Sequence, residues 1–320
     1  MSVAACLVFY SFAVAVLAPR LLVRLAHTGI APRLGVAAWL AAIGIVVGSW
    51  ATAAAFLAAE LVRDWAQPRQ TVLSTCIAQL RAVAAGRYGT AVQIGLLVLA
   101  GFAALGVAVL LGRLGRSLLR ARASTHEHAR MARLAGAHDA ALGAVVLDVP
   151  ERAAYCVAGR PHTIVVTRGA LAALDDRHLD AVLAHERAHL SGRHHLLLAL
   201  TRGLAAILPR IELFTSGSAE VARLLEMCAD DAAARAHGRR TVLQALVALA
   251  GAAPVPAGAL GASGVGVLAR AERLAAPADL SRRVRVRLLL GATAAVVTAG
   301  PVLAGGLAAA GLALCGPMAG

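Results

Sequence analysis

The sequence predicts a polytopic, mainly helical membrane protein with an α+β domain inserted between its transmembrane helices. Three observations carry that prediction. Of 320 residues, 59% are hydrophobic and only 15% charged, with mean hydropathy +0.74, well above the apolar share of about half found in soluble domains. Four stretches carry no charge at all: residues 2–18, 34–59, 88–112 and 288–320. Between the last two lies the one long segment with strand-like patterning, and it holds fifteen of the 17 acids. This composition excludes an ordinary soluble enzyme, a disulfide scaffold and a disordered chain.

A helix crosses the hydrocarbon core with about 20 apolar residues, down to roughly 17, so all four charge-free runs are long enough. The first has no basic residue before Arg20 and reads as a retained helix, because a cleaved leader needs a basic start. Arg20, Arg24 and Arg33 follow it; Arg113, Arg116, Arg120, Arg122, Arg130 and Arg133 follow the third run; Arg282, Arg283, Arg285 and Arg287 precede the fourth. These thirteen share one side if all four runs cross, against Arg63, Arg69, Arg81 and Arg87 on the other, offset by Glu60 and Asp64. The positive-inside rule then puts residues 113–287 in the cytoplasm and both termini outside a cell membrane. The net charge of +14, all arginine and no lysine, is read as topology, so direct nucleic-acid binding is not expected. The expected divisions are three helices in 1–112, a cytoplasmic domain in 113–287 with its core at about 140–250, and a fourth helix in 288–320.

Within the domain, 141–149 (ALGAVVLDV) and 153–158 read as two strands joined by a turn at Pro150-Glu151-Arg152, and 163–167 (TIVVT) as a third. The period then lengthens. Asp176 is the expected N-cap of a helix carrying Leu179, Val182, Leu183 and Leu190 on apolar stripes, and Gly192 its stop. Residues 218–237 read as a second helix ending at Gly238. The apolar stretch 196–208 is short for a span and is expected to pack on the domain or lie at the membrane surface. Residues 251–266, rich in Gly, Ala and Pro, read as a mobile connection.

The first helix contains His185-Glu186-Arg187-Ala188-His189. Histidines four apart stand one above the other on a helical face, so both imidazoles reach one zinc ion. Glu186 beside the first ligand can serve as general base toward a zinc-bound water. On the second helix Glu226 and Asp230 share one face. Glu226 there offers a third zinc ligand, and Asp230 can orient one of the bound imidazoles from behind. The alternative is a solvated pair of histidines and two solvated acids. No Cys-x-x-Cys spacing competes for metal; Cys156 and Cys228 are expected as reduced cytosolic thiols, and Cys6, Cys76 and Cys315 as packing residues.

At these residues the chain resembles the gluzincins, and more closely the BlaR/MecR-type membrane zinc metallopeptidases related to the HtpX group. The resemblance lies in AYCVAGRPHTIVVTRGALAAL, LDAVLAHERAHLSGRHH and EMCADDAAAR, within about 155–235, and in three spans before the domain and one after. It implies a zincin-like α+β fold, one Zn2+ per chain on His185, His189 and Glu226, catalysis by Glu186, and support of a ligand histidine by Asp230. Sensor members carry a penicillin-binding domain after the last span, for which this sequence leaves no room, so a signal is expected through the spans, the loop 60–87 or a partner.

Zincins commonly hold a substrate as an added strand, and Tyr155, Cys156, Val157 and Ala158 resemble the family's edge strand; an interior strand is the alternative. His237 is the oxyanion-stabilising candidate by its position after the ligand helix, with Arg235 and Arg239 beside it; helix-end charges are the bland alternative. His126, His128, His194 and His195 are read as structural. The expected function is a membrane-embedded zinc endopeptidase acting on a protein or peptide. By resemblance the substrate is a transcriptional repressor, and the activity serves signal transduction. Membrane-protein quality control of the HtpX kind and a non-catalytic zinc scaffold are the other two readings.

Overall fold

A computed structural model of the chain describes residues 3–66, 90–250, 260–261, 266–276 and 278–314. The helices among them are α1 (Val3–Ala26), α2 (Pro32–Ala66), α3 (Thr90–Ala135), α4 (Arg168–Ala173), α5 (Asp176–Ser191), α6 (His194–Ile207), α7 (Glu212–His237), α8 (Arg239–Leu249), α9 (Val267–Ala275) and α10 (Leu280–Leu314). The strands are β1 (Ala137–Asp139), β2 (Ala144–Leu147), β3 (Ala154–Val157), β4 (Thr163–Thr167) and β5 (Leu260–Gly261). The chain divides into two compact units, one of residues 1–20, 40–113 and 292–320, the other of 21–39 and 114–291.

Three described helical segments are long and apolar enough to cross a membrane: Cys6–Ala26, Pro32–Phe56 and Leu280–Leu303, of 21, 25 and 24 residues. Two of them correct the expected bounds. α1 runs on through Arg20 and Arg24, and α10 begins before Arg282, Arg283, Arg285 and Arg287. Charge-free runs end at an arginine, but a helix need not, because the aliphatic stem lies along the helix while the guanidinium reaches water. The third expected span falls in α3; residues 88–89 and the side chains of 90–100 lie outside the described residues, as do the loop 67–87 with Cys76 and the stretch 315–320 with Cys315. In the first unit the indole N–H of Trp50 donates to Ser11 Oγ at 3.0 Å, the Tyr10 hydroxyl donates to the Val297 carbonyl at 2.9 Å, and Leu7 packs on Ala53.

The second unit is built on a five-stranded sheet of order β1-β2-β4-β3-β5, in which β2 runs parallel to β4 and the other pairs are antiparallel. This corrects the expected hairpin of 141–149 with 153–158, since β4 lies between β2 and β3. Thr167, at the end of β4, holds the crossover together. Its buried hydroxyl donates to the Glu151 carbonyl, accepts from Ala153 N–H at 2.9 Å, and caps α4 by accepting from Ala170 N–H at 3.2 Å. Gly169 lies so close to the Pro150 carbonyl that a Cβ there would collide with backbone. The hairpins are β3–β4 and β1–β2, the latter turned by Asp139, whose carboxylate accepts from Ala141 N–H at 2.9 Å, and by Gly143 at φ 62°.

All four residues of β3 are buried, which matches a strand covered on both faces. Tyr155 and Val157 pack with Val165 against Ala129 and Ala132 of α3. By alternation, Ala154 and Cys156 face the other side, where α5 packs on β3. Asp175, one residue before the expected cap, accepts from His178 N–H at 2.8 Å to start α5, and Gly192 ends it as expected. Below α5 lie α7, α6 and α8. Ala181, Ala233, Val242, Leu246 and Leu274 form one apolar cluster joining α5, α7, α8 and α9. α7 begins at Glu212, before the expected 218, because Leu213, Phe214 and Gly217 continue its buried face. The stretch 196–208 is α6, packed on α7 through its buried side. Arg223 of α7 donates to the Ala26 and His27 carbonyls at 2.9 and 3.0 Å, and Arg273 of α9 to Gly29 at 2.7 Å. The connection from α1 to α2 is therefore fastened to this unit.

Candidate metal centre

α5 turns one face toward the interior, carrying Leu179, Val182, Leu183, His185, Glu186 and His189, all buried. α7 meets it with Glu226 and Asp230, also buried. The two imidazole Nε2 atoms stand 3.1 Å apart; His189 Nε2 lies 3.4 Å from Glu226 Oε1, and His185 Nε2 3.5 Å from Glu226 Oε2. A tetrahedral ion with bonds of about 2.0–2.1 Å separates its ligand atoms by roughly 3.3–3.4 Å. The three separations lie near that figure, so the donor set suits such an ion. Among the described residues this is the one cluster of three His, Cys or acidic side chains with metal-site spacing.

The nitrogen that each imidazole turns away from the cluster is also engaged. His185 Nδ1 lies 3.1 Å from Asp230 Oδ1, and His189 Nδ1 lies 2.9 Å from His194 Nδ1. With both Nδ1 atoms in hydrogen bonds, both Nε2 lone pairs are left for a metal. His194 is buried; burial and the neighbouring His189 pull its pKa down to about 4, so one proton is shared between the two Nδ1 atoms. Its place depends on the helix break. Gly192 has no Cβ to obstruct the His194 ring, and Arg193 takes the left-handed conformation at φ 50°.

Charge completes the arrangement. Arg270 of α9 donates to Asp230 from Nε at 2.8 Å and Nη2 at 2.7 Å, and its Nη1 lies 3.1 Å from Glu226 Oε2. Burial alone would raise the Asp230 carboxyl, but Arg270 and His185 outweigh it and hold it down to about 2. Glu226 is likewise held well below its ordinary value, because the two histidines overcome its burial. Glu186 differs. Both of its oxygens are buried without a nitrogen or oxygen donor, with the Cys156 thiol beside them, and burial, reinforced by Glu226, pushes its carboxyl up to about 8. A desolvated acid beside a ligand histidine suits a group that takes up and releases a proton.

The structure thus brings together His185, Glu186, His189, Glu226 and Asp230, and it does not bring in His237. That residue sits eleven positions beyond Glu226 at the end of α7, roughly 16 Å along the axis at 1.5 Å per residue. Arg235 is exposed, and Arg239 donates to the Arg273 carbonyl at 2.8 Å. β3 is corrected as well. Its outer side is no free edge, because Tyr155 pairs with Gly261 and Cys156 with Leu260 of β5; Ala158 lies just past the strand. Two residues that sequence reasoning missed are His194 and Arg270. His194 stands five positions after His189 and just past a glycine helix stop, a spacing that could have flagged it. Arg270, forty positions from Asp230 across a Gly/Ala/Pro-rich stretch, gave no local signal.

Residues 119–219 match the model of peptidase family M48. Peptidases of that family are metal-dependent, which agrees with the donor set found here. The M48 match takes in the end of α3, strands β1 to β4, helices α4 to α6 and the start of α7. It therefore contains His185, Glu186, His189 and His194 and ends before Glu226. No curated protein and no solved structure matches the chain.

Proposed function

We propose that the chain is a membrane-embedded zinc-dependent endopeptidase of the BlaR/MecR type, with its metal centre on the cytoplasmic side. The convergence of His185, His189 and Glu226 beside the buried carboxyl of Glu186 carries this reading. A zinc ion on those three side chains would polarise a scissile carbonyl and make water an effective nucleophile at neutral pH. Glu186 accepts the proton of the attacking water and returns it to the leaving amine. Asp230 and His194 keep His185 and His189 in the tautomer that presents Nε2.

Three observations support the membrane setting and its orientation. Three described helices have the length and composition of spans. Thirteen arginines flank the expected spans on one side against four on the other. Arg223 and Arg273 hold the connection between α1 and α2, which is in keeping with a metal centre on the side of the arginine-rich connections. The substrate is an intracellular protein, and by resemblance a transcriptional repressor whose cleavage relays a signal.

The reading is tested on wild-type protein purified in detergent, with metal content measured by mass spectrometry alongside cleavage of casein and of the chain itself. One zinc per chain with cleavage is the expected result; absence of zinc would remove the reading. A reporter fused after Val149 is expected to report cytoplasm, and an external signal would reverse the orientation.

A further inference from the structure

We propose that Arg270 is the positioning residue of this metal centre, fixing Glu226 and Asp230 together so that the three ligand side chains are set before the ion arrives. The inference rests on the metal site proposed above and adds to it a residue that lies beyond the M48-matched stretch. Arg270 is 1% exposed. Its fork takes both oxygens of Asp230, at 2.8 and 2.7 Å, while Nη1 approaches Glu226 Oε2 at 3.1 Å. Glu226 and Asp230 stand one turn apart on α7, where two buried carboxylates repel one another. A planar guanidinium between them removes that repulsion and fixes both orientations; an ammonium, as a point charge, supplies no fork.

Two consequences reach the ion site. Arg270 reaches Oε2 of Glu226, which also faces His185 Nε2 at 3.5 Å, while Oε1 faces His189 Nε2 at 3.4 Å, so the guanidinium fixes the carboxylate in the orientation that meets both imidazoles. It also anchors the carboxylate that holds His185 Nδ1 at 3.1 Å, so the orientation of His185 depends on Arg270 through Asp230. A role in packing alone would not need this charge, because a buried ion pair is often replaceable by apolar side chains without loss. α9 itself is fastened by Leu274, which packs with Ala181, Val242 and Leu246.

The test compares Arg270→Lys with Leu274→Ala in the full-length protein. Arg270→Lys keeps the charge and loses the fork. Leu274→Ala loosens the same helix without touching either carboxylate. Zinc affinity is read by competition with a chelator, coordination by the visible absorption of the cobalt(II)-substituted protein, and fold by the thermal midpoint. Arg270→Lys is expected to weaken zinc binding about 10–100-fold, the usual effect of losing an outer partner of a metal ligand, and to shift the cobalt band. Leu274→Ala is expected to lower the midpoint and leave both metal readouts as in the wild type. Wild-type affinity and band in Arg270→Lys would overturn the inference, as would equal shifts in both variants. A wild type that binds no zinc removes the proposed metal site and this inference with it. Equal zinc binding by wild type and Arg270→Lys removes only the inference.

Discussion

Glu186→Gln is expected to leave the metal bound and to lower peptide-bond hydrolysis by about 10²–10⁴-fold, the range a positioned general acid–base group contributes. The side chain is fully buried, and its carboxyl is pushed up to about 8 by that burial. A neutral amide of nearly the same shape therefore enters without a cavity and without a new buried charge, so the fold should hold. His185, His189 and Glu226 are untouched, so metal content should match the wild type. What is lost is the one carboxyl in the cluster that no arginine or histidine holds, its neighbour being the Cys156 thiol. Cleavage assays beside metal analysis on the same preparation decide it. Wild-type turnover in the variant would show that Glu186 moves no proton in the reaction.

Glu226→Ala is expected to weaken metal binding by more than the 10–100-fold typical of removing an outer partner of a ligand. Two effects act together. The cluster loses the donor that lies 3.4 and 3.5 Å from the two imidazoles, leaving two nitrogens where an ion of tetrahedral preference needs at least three protein ligands. Arg270 also loses its second carboxylate, so a buried positive charge faces the ion with less to offset it. Chelator competition and metal analysis after dialysis provide the measurement. Unchanged metal content would sink the assignment of Glu226 as third ligand and leave the two histidines to bind alone.

Much of the domain was legible because its signals are local. TIVVT bounds β4 to the residue, Gly192 and Gly238 stop their helices where expected, and the spacing of His185, Glu186 and His189 fixes a helical face. The pairing order was not legible. β2 and β3 are adjacent in sequence and carry similar apolar patterns, so nothing local says that β4 inserts between them; the crossover is held by Thr167 and by the missing Cβ of Gly169. β1 (AHD) and β5 (LG) are too short to show any period. Arg270 was invisible for a related reason. A buried arginine reads like any other basic residue in an amphipathic segment until α9 docks and shows which carboxylates it meets.

The pairing of Leu260 and Gly261 with β3 changes the accounting for any extended chain that seeks that strand. On an open edge a guest strand gains main-chain hydrogen bonds that only water held before. On this edge it must exchange with a tenant already making them, so the backbone contribution largely cancels. The tenant is tethered, which for a short linker amounts to an effective concentration on the order of millimolar. A guest present at micromolar levels therefore prevails only through its side chains, or by pairing with more of β3 than two residues can cover. Any sequence preference at this edge would be set by a guest's side-chain contacts in excess of those made by Leu260 and Gly261.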